Sequence, residues 1–83
     1  MRPFEFLLNS KSARIMVELP ADEQQAALRA FDILADHPFT TGLPHWTDGD
    51  GRENYLRFIH SWAITFYVDH AERKVRVVDF SPS

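Results

Sequence analysis

Arg57, His60 and Arg76 are the candidate catalytic side chains of this sequence. All three fall in its last third, RENYLRFIHSWAITFYVDHAERKVRVVDF, which reads as three consecutive strands. Arginines hold charge on a phosphate, and a histidine at a strand end exchanges protons near neutral pH. Arg57 lies on the strand face opposite Phe58, beside Tyr55 and Ile59. If the last strand shares that face, Arg76 comes near it. With His60 and Tyr67 the pair would make a small basic and aromatic patch suited to an RNA backbone and its bases. Arg52, Tyr55, Tyr67 and Lys74 are the associated candidates for contacting RNA or another target. A plainer reading competes with this one. Strand arginines solvate an open face or pair with Glu53 and Asp79, and His60 is a turn residue.

Other chemistries have less to work with. There are no cysteines, so disulfides, thiolate metal sites and thiol nucleophiles are excluded together. His37, His45, His60 and His70 are scattered without an i, i+4 pair, so no metal site is expected. Asp48, Asp50 and Glu53 in DGDGRE match the start of a calcium loop, but the bidentate glutamate at its twelfth position is missing. That segment reads as a solvated Gly-Asp turn. No cofactor motif is present.

The net charge of −3, from 9 basic against 12 acidic residues, argues against strong nucleic-acid binding overall. The acids concentrate in the helical half and the loop, whereas Arg52, Arg57, Arg73, Lys74 and Arg76 lie on or beside the strands. A locally basic sheet on an acidic protein is therefore open. With 83 residues, 45% of them hydrophobic, the chain makes one domain with a compact aromatic core. No apolar run is long enough to span a membrane, and the N-terminus lacks a basic-then-apolar leader pattern. A cytoplasmic location is the expectation.

The strands that carry the candidates need a roof. Leu56, Phe58, Ile64, Phe66 and Val68 hold even positions and are expected on one apolar face. A first strand over Pro3–Leu8 places Phe4 and Phe6 together. Asn9 or Ser10 caps a helix to about Leu19, with Ala13, Met16 and Val17 as its apolar stripe. Pro20 breaks it, and the Asp22/Gln25 spacing predicts a capping box that restarts a helix. Gln24, Ala27, Leu28, Phe31, Leu34 and Ala35 form one side of that helix, which ends at Pro38. Residues 38–51 read as a loop anchored by Phe39, Leu43 and Trp46, with Trp46 either pinned on the sheet or exposed for a partner helix. The last three strands are joined by tight turns near His60–Ser61 and Asp69–Arg73 and pair antiparallel. The expected fold is α+β, in the order β-α-α-β-β-β: a mainly antiparallel four-stranded sheet covered on one face by a helical hairpin.

This layout resembles the RelE/ParE superfamily of type II toxin–antitoxin toxins. SKSARIMVELP matches the family's first helix and its Leu-Pro break, and LADHP resembles its "La.nP". LRFIHSWAITFYVD looks like "lRvgdyRiiYevd", and KVRVVDF looks like "kvvvv.i". The resemblance covers nearly the whole chain. It implies a toxin neutralised by a cognate antitoxin, acting on ribosome-bound mRNA as a metal-free endoribonuclease or on DNA gyrase. In the nuclease branch, basic groups on the sheet stabilise the scissile phosphate and help activate the ribose 2′-hydroxyl. Here Ala63 and Phe58 stand where strand arginines are usual, and the basic tail that often follows the last strand is missing. The resemblance therefore also admits a non-toxic member persisting as a protein-binding module. An unrelated small enzyme on the same scaffold is the third reading.

Overall fold

The computed structural model describes residues 4–83. Seven elements follow in order: β1 (Glu5–Leu8), α1 (Ser10–Glu18), α2 (Ala21–Asp36), β2 (His45–Thr47), β3 (Glu53–Ile59), β4 (Trp62–Asp69) and β5 (Lys74–Pro82). They build one sheet in the order β1-β5-β4-β3-β2, with both helices packed against a single face. The architecture is α+β as expected, but the sheet has five strands and is mixed. β1 runs parallel to β5, while the other neighbours are antiparallel. The added strand is β2, inside the stretch read as loop. Of the expected first strand, Pro3 lies outside the described residues.

Helix entry differs in its chemistry from one helix to the other. Asn9 caps α1, its side chain accepting from Ser12 N at 2.9 Å. The expected capping box at Asp22 is not used. α2 starts at Ala21 behind Pro20, with no side-chain cap. Gln24 instead donates through Nε2 to Met16 O at 2.9 Å, tying the second helix to the exposed end of the first. The α1 stripe is also rotated from its expected place. Val17 is exposed, and Ile15, Met16 and Leu19 pack on the core. Ser12 is fully buried on that side, where its Oγ donates to Val77 O at 3.2 Å. A hydroxyl with a partner is tolerated there, whereas an orphaned one would cost stability.

The core sits between α2 and the central strands. Ala27 and Ala30 let α2 approach closely, and Phe31 and Leu34 of the same helix complete its part of the core. Its ring centroid lies 5.4 Å from Phe6 and 5.0 Å edge-on from Phe80. The sheet contributes Ile59, Trp62, Ile64, Phe66, Val75 and Val77.

The phase of the strands departs from the expected pattern at the β3–β4 turn. Ile59 pairs with Trp62, leaving His60 and Ser61 as the loop, with His60 at φ 54°. Such short loops favour positive φ because it matches the twist of the flanking strands. The consequence is that Tyr55↔Phe66, Arg57↔Ile64 and Ile59↔Trp62 share the helix-covered face. Leu56↔Thr65 and Phe58↔Ala63 lie on the open one. Phe58 is thus exposed rather than in the core.

Candidate functional site

The open face is the natural place to look for a site, because the helices leave it uncovered. β4 and β5 put Tyr67 opposite Arg76 and Asp69 opposite Lys74, while β3 puts Asn54 opposite Tyr67. Arg52, just ahead of β3, brings its guanidinium 4.6 Å from the Tyr67 ring centroid and 3.3 Å from the Tyr67 hydroxyl. Arg52, Tyr67, Lys74 and Arg76 therefore gather near one end of the open face.

Arg57, Tyr55 and His60 do not join them. Arg57 is on the helix-covered face, so it and Arg76 lie on opposite sides of the sheet. Its Nη1 donates to His37 O at 2.5 Å, at the C-terminal cap of α2. A cation there complements the carbonyl end of the helix dipole. Arg57→Ala is expected to cost about 0.5–1 kcal/mol of stability, readable as a lower thermal midpoint, with Arg57→Lys partly restoring it. Tyr55 stacks on Phe66, with ring centroids 5.7 Å apart, under the helices' side. His60 is at the far tip of the β3–β4 turn. Tyr67 stands five positions along β4 from Trp62, roughly 16 Å of extended chain.

Each gathered cation already faces a carboxylate. Arg52 contacts Asp48 at 3.4 Å and Asp50 at 2.5 Å, Lys74 contacts Glu5 at 3.5 Å, and Arg76 contacts Asp69 at 3.2 Å. These partners are not Glu53 and Asp79, the acids expected to pair with the arginines. Glu53 is instead held by the Thr47 hydroxyl at 2.9 Å and by His45 Nδ1. Those two hydrogen bonds lower its pKa. Asp79 pairs with Lys11 at 3.3 Å. The Asp69 pKa is likewise lowered, first by the backbone N–H of Glu72 and then by Arg76.

Asp48 organises the approach to β3. It accepts from Asn54 Nδ2 at 2.8 Å and from the backbone N–H groups of Asp50 and Arg52 at 2.9 and 3.0 Å. Together, with the Asn54 bond foremost, they pull its pKa from 3.8 down to about 2. The segment is thus a self-satisfied Asx turn, in agreement with the Gly-Asp turn expected there. Gly51, at φ 79°, supplies the left-handed residue that returns the chain to β3. Among the described residues no cluster of acids and histidines could hold a metal ion.

One concavity escaped the sequence reading. Where β3 begins and β4 ends, a cleft of about 220 Å³ lies between Arg52, Glu53, Tyr55, Tyr67, Val68, His70 and Phe39. A second hollow of about 180 Å³ continues along Pro38–Thr41 and shares Phe39 and Tyr55 with it. Phe39 is 63% exposed although its ring stacks on His70 and meets the edge of Phe4. Its exposure marks it as a cleft wall more than a core anchor. Its sequence signal was an aromatic in a Pro/Gly-rich loop, expected there as an anchor.

No protein-family model matches the chain, and no curated protein matches it in sequence. Solved structures match its fold. A chain of the RelBE2 toxin–antitoxin complex of Mycobacterium tuberculosis superimposes with TM-score 0.76 at 17% identity, covering 100% of this chain and 94% of that one. A chain of the RelE–RelB complex of Pyrococcus horikoshii OT3 gives 0.69 at 12% identity over 96% and 94% of the two chains. One from the intact E. coli RelBE complex gives 0.65 at 10% identity over 96% of each. The fold is RelE-like, as the sequence pattern implied.

Proposed function

We propose that this chain is the toxin of a type II toxin–antitoxin pair, held inactive by a cognate antitoxin protein. The observation that carries this reading is a RelE-like fold matched over 100% of this chain and 94% of the RelBE2 chain. A cytoplasmic location goes with it.

Within that reading the side-chain chemistry favours inhibition by binding, as of DNA gyrase, over ribosome-dependent mRNA cleavage. Metal-free cleavage needs cations free to meet a phosphate and a group to move the 2′-hydroxyl proton. Arg52, Lys74 and Arg76 each have a carboxylate neighbour that an incoming phosphate would have to displace. His60, the candidate acid–base, is remote from them, and Arg57 is engaged at the end of α2. The same pairing supports a second reading, a non-toxic RelE-like binding module.

Tightly induced expression in a bacterial culture tests the proposal. Growth arrest is expected, with transcript ends unchanged and Arg57→Ala retaining activity in proportion to its folded fraction. Arrest accompanied by new transcript ends, suppressed by Arg76→Ala, would replace binding with cleavage. Folded, abundant protein without arrest would leave the binding-module reading in its place.

A further inference from the structure

The cleft beside Phe39 lies partly off the open face, and its chemistry differs from that of the face. Its walls are largely aromatic: Phe39, Tyr55, Tyr67 and His70. Its lining carboxylate is Glu53, and its lining cation is Arg52. Arg52 is matched by two acids, Asp48 and Asp50, so it adds no net positive charge to the cleft. Glu53 has His45 and Thr47 on it, and a carboxylate offers about four acceptor positions, so it retains room for further donors. Anions are therefore poorly served here, and a cation is well served.

The protein's own side chains indicate which cation suits such walls. Two guanidinium groups already rest on rings around the cleft: Arg52 on Tyr67 at 4.6 Å, and Arg73 on Phe4 at 5.2 Å. Phe4 in turn meets Phe39 edge-on at 5.5 Å. Tyr55, which packs on Phe66 and His45, and Phe39, which stacks on His70, both line the cleft and its continuation. A planar guanidinium combines stacking on an aromatic face with forked donation to a carboxylate, which an ammonium does less well.

We propose that this cleft receives an arginine side chain presented by a partner protein, its guanidinium between Phe39 and Tyr55 and its charge on Glu53. The hollow along Pro38–Thr41 then accommodates the flanking peptide. The partner carries a basic segment, complementary to this chain's net charge of −3. The inference goes beyond the toxin reading and does not depend on it.

The test is an NMR titration of the full chain with N-acetyl-arginine amide, and with N-acetyl-citrulline amide as the neutral isostere. Saturable shifts confined to Phe39, Glu53, Tyr55 and His70 are expected with the arginine probe. Binding should weaken about tenfold with citrulline and in Glu53→Gln, the scale of one charge-assisted hydrogen bond. Phe39→Ala, at an exposed position, should abolish saturation while the remaining spectrum stays folded. Equal binding of citrulline, shifts centred elsewhere, or no saturation up to the probe's solubility would overturn the proposal. Tighter binding of adenosine monophosphate at the same residues would overturn it too, assigning the aromatic walls to a base.

Discussion

Phe31→Ala is expected to remove cooperative unfolding at ambient temperature or to halve the urea midpoint. Phe31 is fully buried and bridges the helical layer to both Phe6 and Phe80. Truncating such a ring costs about 3–5 kcal/mol through lost burial and the cavity left behind. Domains are stable by only about 5–15 kcal/mol, and small ones fall toward the low end. The neighbouring core residues of α2, Ala27 and Ala30, are small and already fully buried, so they give little scope for collapse into the hole. Phe39→Ala provides the contrast. It removes a ring of the same size from a position that is 63% exposed, and should change stability by less than about 1 kcal/mol.

The second large effect is expected at Asp48. Asp48→Ala strips the acceptor from two backbone N–H groups and from Asn54, whose side chain is buried at the start of β3. Thermal stability should fall by several degrees, and amide protection should drop first in the turn and β2. The pH dependence has a definite sign. The Asp48 pKa is depressed in the folded chain, from 3.8 to about 2, so its contribution is present above the unfolded value. It is lost as pH falls through the folded one. Wild type and Asp48→Ala should therefore differ by a constant amount above about pH 4 and converge toward about pH 2. A difference that grew on acidification would show that the carboxylate is not the stabilising form.

The comparison of pattern with structure turns on which relations are local. Alternation within β3 and within β4 was legible, because a period of two is written in each segment. Their relative phase was not. It depends on the two-residue loop at His60–Ser61, which places odd positions of β3 beside even positions of β4. Reading both strands by one parity sent Phe58 inward and made Arg57 and Arg76 plausible companions. β2 is three residues long, too short for any periodic signal, and became visible only through its pairing with β3. The parallel partnership of β1 with β5 joins the two ends of the sequence and has no local signature. What the site lacks in legibility has the same origin. Arg52 meets Tyr67 fifteen positions on, and Phe39 meets His70 across the fold, so neither pairing exists until the sheet is assembled.

The α2 face was legible for the opposite reason. Ala27, Phe31, Leu34 and Ala35 recur at helical spacing inside one uninterrupted segment, and all are buried. In α1 only nine residues carry the pattern, and the polar Ser12 is the one that is buried. Polarity hid a core position there, because its hydroxyl is satisfied by a carbonyl of β5.

The placement of β1 sets the order in which the molecule can be completed as it is made. β1 precedes every other strand of its sheet and pairs with β5, which follows them all, so Phe6 and Leu8 emerge without the backbone they pair with. The β3–β4–β5 meander, joined by short turns, can close as soon as it is free. Until β5 has emerged, an apolar strand is left with unpaired amides, open to any other edge that meets it. Completion of the sheet is thus a late, long-range event. Substitutions in β1 or β5 that leave the finished fold intact would act first on the yield of newly made protein.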